Sequence, residues 1–183
     1  MPRINSIDPE NAQGNAKQLL DGVQKSVGMV PNIMRTFANS PAALQAYVGF
    51  LDALEGTSID AKTREAIAIA TSGVNGCEYC TAAHTAFGKM RGLSDEEARE
   101  NLSGRSSDPT RAAALRFARA IVEKRGWVDD LDLQHTRAAG LGDTEITEIL
   151  AVVAATIFSN YFNHIAETEV DFPPVEAPER SAA

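Results

Sequence analysis

Cysteine is scarce in this chain, whose 183 residues contain only two, at positions 77 and 80. Two cysteines are too few for the disulfide scaffold of a small secreted protein, and a closely spaced pair is more often catalytic or metal-binding. Long hydrophobic runs are missing too. The longest largely apolar run, residues 149–158 with one threonine, spans ten residues and is too short to cross a bilayer. We therefore expect neither a secreted scaffold nor a membrane protein.

Basic charge is also in short supply. Lys and Arg number 17 against 25 Asp and Glu, which leaves a formal net charge of -8. Such an acidic surface disfavours nucleic acid and anionic membranes as partners. The N-terminal residues lack the basic segment followed by an apolar one that marks a secretory signal. We expect a cytoplasmic protein that binds neither nucleic acid nor membrane.

Strand signals are absent, because no segment alternates apolar and polar residues between hairpin turns. Helix-start signals recur instead, at Ser40-Pro41, Asp60, Ser94 with Glu97, and Asp108-Pro109. Apolar spacing adds helices over about 9–27 and 144–168. The sequence predicts an all-α, single-domain helical bundle over residues 1–172. The stretch 173–183, rich in Pro, Glu and Ala, is predicted to be a mobile tail.

Two further features bear on packing. The segment 149–158 is apolar nearly all round, which is typical of a central helix or of a helix in a subunit contact. We expect it to be both, and hence expect a homo-oligomer. Trp127, directly after Gly126, is predicted to be a packing anchor.

The two cysteines belong to a motif with reactive side chains at set spacings. Cys77, placed in the first turn of a helix, lies three residues before Cys80, so a small adjustment brings the sulfurs within disulfide reach. The helix N-terminus favours thiolate there. His84 follows Cys80 by four residues on the same face and can take the thiol proton. Glu65 is its natural partner if the two helices form an antiparallel hairpin about the turn at 73–76, which predicts a proton relay.

Each member of this motif also has a plainer interpretation. A lone Cys-x-x-Cys is a weak signal, a histidine on an apolar face is usually a core residue, and a helical glutamate is usually solvated. The same four side chains could instead ligate zinc, although structural zinc normally draws its ligands from two separate knuckles. His164, beside Asn160 and Asn163, and His135 are weaker candidates. Tyr79 either packs or brings a phenol to the site.

Taken together, the spacing resembles a known signature. Glu65, eleven residues, Cys77-Glu78-Tyr79-Cys80, three residues and then His84 resemble the alkylhydroperoxidase D-like family of the carboxymuconolactone decarboxylase superfamily. Residues 30–34 and 160–173 are similar to its peroxidase-related branch. The resemblance implies an oligomeric all-helical fold with thiol peroxidase activity. It implies that Cys80 attacks the peroxide and becomes a sulfenic acid, that Cys77 resolves it to a disulfide, and that His84 and Glu65 relay the proton.

One position departs from the family pattern, since Tyr79 stands where the best-known members carry a histidine. The chemistry requires no bound cofactor, but it does require electrons from a dithiol. The resemblance implies a lipoyl-bearing protein or another small thiol donor. We therefore predict a thiol-dependent peroxidase acting on organic hydroperoxides or hydrogen peroxide. The alternatives are a general disulfide oxidoreductase or redox sensor, and a zinc-stabilised oligomer without activity.

Overall fold

The computed structural model describes residues 2–175, and within them the chain is helical without any strand. In chain order the helices are α1 (Gly14–Val27), α2 (Asn32–Phe37), α3 (Pro41–Leu54), α4 (Ala61–Asn75), α5 (Glu78–Met90), α6 (Asp95–Leu102), α7 (Pro109–Glu123), α8 (Asp130–Ala138) and α9 (Asp143–Ala166). The all-α prediction is confirmed. Most of the predicted mobile tail, residues 176–183, lies outside the described residues.

Local capping signals start the helices as predicted. The side chains of Ser40, Asp60 and Asp108 each accept a hydrogen bond from the backbone N–H three residues on. Ser94 and Glu97 form a reciprocal capping box at the start of α6. Each cap satisfies a donor that the helix itself cannot pair, which contributes about 1 kcal/mol.

The structure differs from the sequence prediction at three places. Helix α1 begins at Gly14 rather than near residue 9, because Asp8 accepts hydrogen bonds from Glu10 and Asn11 and holds a turn there. Helix α2 has six residues, too few to show a periodic pattern. The predicted packing role of Trp127 is wrong, since the residue is 87% exposed in the turn after α7.

Helix α4 occupies the centre of the fold and packs against α5, α6, α7 and α9. Residues 66–72 of this helix are all buried. Alanine at positions 66, 68 and 70 keeps that surface thin, so neighbouring helices can approach closely. A main apolar core joins α4 to α7 and α9, and a second core joins α1, α2 and α3 to the start of α5. The reactive motif lies where these two cores meet.

Helix α9 is the longest helix that the structure describes and runs along α4 and α7. By length and composition it could cross a bilayer, but half of its apolar window is buried inside the protein, as in the core helix of a soluble-type fold. The predicted central position is met only in part, because α4 is the central helix and α9 packs against it with one face exposed. Its outer face carries exposed apolar side chains at helical spacing, namely Leu150, Phe158, Tyr161 and Ile165.

Candidate active site

Helices α4 and α5 form the antiparallel hairpin that the sequence predicts. Gly76 ends α4 in the left-handed conformation, with φ of 68°, which allows the sharp reversal into α5. Farther along, Gly88 leaves room for the Leu93 side chain and lies beside Glu65 of α4. A Cβ atom there would lie 3.5 Å from Glu65 Cβ and 2.5 Å from Leu93 Cδ1. The hairpin therefore brings Glu65 next to the cysteine helix.

Cys77 and Cys80 lie at the start of α5 with their sulfur atoms 2.7 Å apart. Both are free thiols and each is 2% exposed. Cys77 is the N-cap residue, one position before the predicted first turn, and its Sγ accepts a hydrogen bond from the Cys80 N–H at 3.3 Å. A bonded pair has an S–S distance of about 2.05 Å, so a small movement would close a disulfide.

Glu65 and His84 form a direct pair across the hairpin. Glu65 Oε2 lies 2.8 Å from His84 Nδ1. Burial acts to lower the pKa of His84, but the hydrogen bond and charge of Glu65 outweigh it and raise that pKa above its ordinary value. The ring is thus biased toward the imidazolium form one helical turn from Cys80.

The pKa values of the two thiols are shifted in opposite directions. Burial acts to raise the pKa of Cys80, yet the Cys77 S–H, the charge of His84 and the amides of Asn160 and Asn163 lower it to about 6. The hydrogen bond that Cys77 donates to Cys80, together with burial, raises the pKa of Cys77. The arrangement favours a thiolate on Cys80 and a thiol on Cys77.

Helix α9 contributes polar side chains to the sulfurs that sequence reasoning did not assign. Asn163 Nδ2 lies 3.2 Å from Cys80 Sγ, and Ser159 Oγ lies 3.8 Å from it. Asn160 donates to Ser72 Oγ on α4 and accepts from Asn75. The available signal was polar residues on the inner face of an otherwise apolar helix. The two histidines noted as weaker candidates, His164 and His135, are both exposed.

Tyr79 is buried between the two cysteines and packs rather than reaching the site. Its hydroxyl accepts from the backbone N–H of Ile33 at 3.1 Å and donates to Asp171 Oδ1 at 2.8 Å. The other oxygen of Asp171 accepts from the N–H of Asn32 at 2.8 Å. Burial raises the pKa of this phenol, so it keeps its proton. Tyr79 joins the first turn of α2 to the C-terminal segment after α9.

A cavity of about 240 Å³ reaches Cys80 from outside. Its walls are largely apolar and aromatic, with Tyr47, Phe87 and Phe172 among them. Glu65 and His84 line the same cavity as Cys80. Cys77 does not line it. The sulfur with the lower pKa is therefore the one in contact with the cavity.

The zinc arrangement considered from the sequence finds no support in the geometry. Within residues 2–175, no group of three or more His, Cys, Asp or Glu side chains converges closely enough to hold a metal ion. The imidazole and the carboxylate pair with each other instead.

The structure is an all-helical fold that holds a cysteine pair beside an acid–imidazole pair, and comparison with known proteins shows what it resembles. Residues 41–124 match the model of the carboxymuconolactone decarboxylase family. A peroxidase-related protein of Ralstonia eutropha JMP134, described as an alkylhydroperoxidase AhpD core, shares the fold with a TM-score of 0.84. It is 25% identical over 93% of this chain and 92% of that one.

Two further solved structures share the fold. A peroxidase-related protein of Silicibacter sp. TM1040 has a TM-score of 0.81 and 20% identity over 96% of both chains. The debrominase Bmp8, solved with 2,3,4-tribromopyrrole, has a TM-score of 0.79 and 19% identity over 92% of this chain and 91% of that one. No curated protein matches the sequence. Residues 41–124 therefore resemble the carboxymuconolactone decarboxylase family, and the fold is that of these alkylhydroperoxidase AhpD-like, peroxidase-related structures.

Proposed function

We propose that this protein is a thiol-dependent peroxidase that reduces hydroperoxides through a dithiol–disulfide cycle of Cys80 and Cys77. The observation that carries the proposal is the asymmetry of the pair. Cys80, with the lower pKa, faces the cavity, while Cys77 lies behind it with its sulfur 2.7 Å away. This is the arrangement that reversible oxidation requires, with an activated sulfur and a resolving sulfur in contact.

The cycle follows from these positions. The Cys80 thiolate attacks the terminal peroxide oxygen, the O–O bond breaks, and the leaving alkoxide takes a proton from the His84 imidazolium held by Glu65. Cys80 is now a sulfenic acid. The Cys77 sulfur attacks the Cys80 sulfur, which forms the disulfide and releases water. An external dithiol then reduces the disulfide to two thiols and becomes a disulfide itself.

The cavity and the donor requirement indicate the co-substrates. Apolar and aromatic walls suit an organic hydroperoxide as well as hydrogen peroxide. The buried pair needs a small dithiol, and a lipoyl-bearing protein would supply one on an extended arm. No bound cofactor takes part in these steps. A reducing compartment such as the cytoplasm is the setting in which the cycle can run.

Peroxide consumption coupled to dihydrolipoamide, followed by mass spectrometry after one equivalent of hydroperoxide, tests the proposal. We expect Cys80→Ser to abolish turnover and Cys77→Ser to stall at a sulfenic acid on Cys80 that dimedone traps. His84→Ala should slow turnover, whereas the exposed His135→Ala should not. Normal turnover in Cys80→Ser would refute the assigned roles. Disulfide exchange without saturable peroxide consumption would identify a general oxidoreductase or redox sensor instead.

We also propose that the protein is a homo-oligomer assembled through the outer face of α9. Leu150, Tyr161 and Ile165 on that face are each at least half exposed, and Phe158 lies on the same stripe. Monomeric proteins rarely expose a continuous apolar stripe of this kind. A second copy of the same helix would cover it.

A further inference from the structure

Asn163 is placed unusually for an amide on an apolar helix. It lies on the inner face of α9 and is 5% exposed, with Nδ2 3.2 Å from Cys80 Sγ. Taking a polar side chain out of water costs stability unless its groups are paired. The donor end of this amide is paired with the sulfur.

The other end of the same amide is not paired. Asn163 Oδ1 is buried and has no hydrogen-bond partner in the described part of the chain. An unmade buried hydrogen bond is costly, so a buried amide normally uses both its donor and its acceptor. Only the end facing Cys80 is used here. The orientation of Asn163 is thus explained by the two sulfurs, since the same amide also acts on Cys77.

Among the other neighbours of Cys80, the Asn160 amide also lowers the pKa of Cys80, but it donates to Ser72 Oγ on α4, and no other uncharged neighbour can replace the Asn163 donor. Ser159 gives its own hydrogen to the carbonyl of Thr156 at 2.9 Å, so it can accept from a Cys80 thiol but cannot donate to a thiolate. The hydroxyl of Tyr79 is bonded elsewhere. The S–H of Cys77 does donate to Cys80, but the resolving step consumes it.

We propose that Asn163 is a further catalytic residue of this site, whose side-chain N–H holds the negative charge on Cys80 Sγ while that sulfur attacks the peroxide. The catalytic part of this proposal rests on the proposed peroxidase function, whereas the thiolate contact does not. Tyr79, between the two cysteines, packs and gives no hydrogen bond to Cys80. The uncharged N–H that faces Cys80 Sγ comes instead from Asn163 on α9. An N–H donor favours thiolate over thiol because it bonds more strongly to the charged sulfur.

The pH dependence of Cys80 alkylation by iodoacetamide tests the contact without any peroxide. The titratable groups that face Cys80 from the packed elements are Tyr47 on α3, Glu65 on α4, and Cys77, Tyr79 and His84 on or beside α5. Replacing Asn163 leaves all of them in place. With loss of a charge-assisted hydrogen bond, we expect the alkylation midpoint of Asn163→Ala to rise by about one pH unit.

That shift has a signature that a merely structural role lacks. With the wild-type midpoint at about 6, a rise of about one unit lowers the alkylation rate roughly fivefold at pH 6 and hardly at all above pH 8. Asn163→Asp, which fits the same space, should raise the midpoint further because it sets a carboxylate against the sulfur. Asn101→Ala removes another buried asparagine, on α6, and should leave the midpoint unchanged.

The outcomes separate cleanly. A midpoint at the wild-type value in Asn163→Asp, with the fold intact by circular dichroism, overturns the proposal even if Asn163→Ala fails to fold. An equal shift in Asn101→Ala also overturns it, because the effect would then be one of general packing. A shifted alkylation midpoint in Asn163→Ala, together with a wild-type protein that consumes no peroxide, would refute the peroxidase function and support the Asn163–thiolate contact.

Discussion

Glu65→Gln removes the charge that faces His84 while keeping the size of the side chain, and so tests the relay at its outer end. The paired atoms are 2.8 Å apart, and the two side chains are 18% and 21% exposed. A hydrogen bond to a charged group contributes about 1.5–3 kcal/mol, and solvent screening favours the lower figure. That figure corresponds to roughly a tenfold change in the protonation equilibrium of His84. The pKa of His84 should fall, and the pKa of Cys80 should rise as the imidazolium is lost.

Two titrations measure this outcome, namely the ring-proton chemical shifts of His84 by NMR and the ultraviolet absorbance of the Cys80 thiolate. Because the pKa of His84 is raised in the folded protein, its contribution to stability is fully present below about pH 6.5 and is lost as pH rises through the folded pKa. Glu65→Gln should therefore cost most stability at about pH 5–6 and approach the wild type at higher pH. Glu96→Gln, an exposed carboxylate on α6, is the control. Unchanged curves for both groups in Glu65→Gln would remove Glu65 from the relay.

Two further perturbations test the surroundings of the site. Tyr79→Phe leaves the Ile33 N–H and one oxygen of Asp171 without a partner, so we expect a loss of about 1–3 kcal/mol in urea unfolding. Tyr161→Phe removes a hydroxyl without a hydrogen-bond partner among the described residues and should cost close to nothing, so equal losses in the two variants would contradict the tethering role of Tyr79. Ile165→Lys on the outer face of α9 should convert the oligomer to a monomer in sedimentation experiments. A wild-type protein that sediments as a monomer would refute the oligomer.

The sequence was informative wherever the signal was local. Caps such as Ser40 and Asp60 act on residues within one turn, so they could be identified without knowing the fold. The pairing of Glu65 with His84 was also within reach, because one short turn separates their helices. Trp127 was misjudged, since a large apolar side chain beside a turn gives no indication of which way the turn will direct it.

The role of α9 at the sulfurs could not be predicted in the same way. Asn163 and Cys80 are 83 positions apart, and their contact depends on how α9 crosses α5 and α4. The periodicity of apolar residues in the sequence does not indicate where one helix crosses another. The tie between Tyr79 and Asp171 spans 92 positions and is hidden for the same reason. Long-range packing therefore decides the sulfur environment, although the motif itself is compact.

The seclusion of Cys80 restricts which molecules can restore it after oxidation. A sulfur that is 2% exposed at the end of an apolar cavity cannot meet a thiol on the flat surface of a globular protein. If Cys80 cycles as proposed, its reductant has to be narrow enough to enter through the same opening as the peroxide. Large, highly charged thiols such as glutathione would enter this largely apolar cavity poorly. We therefore expect Cys80 to form mixed disulfides with glutathione slowly.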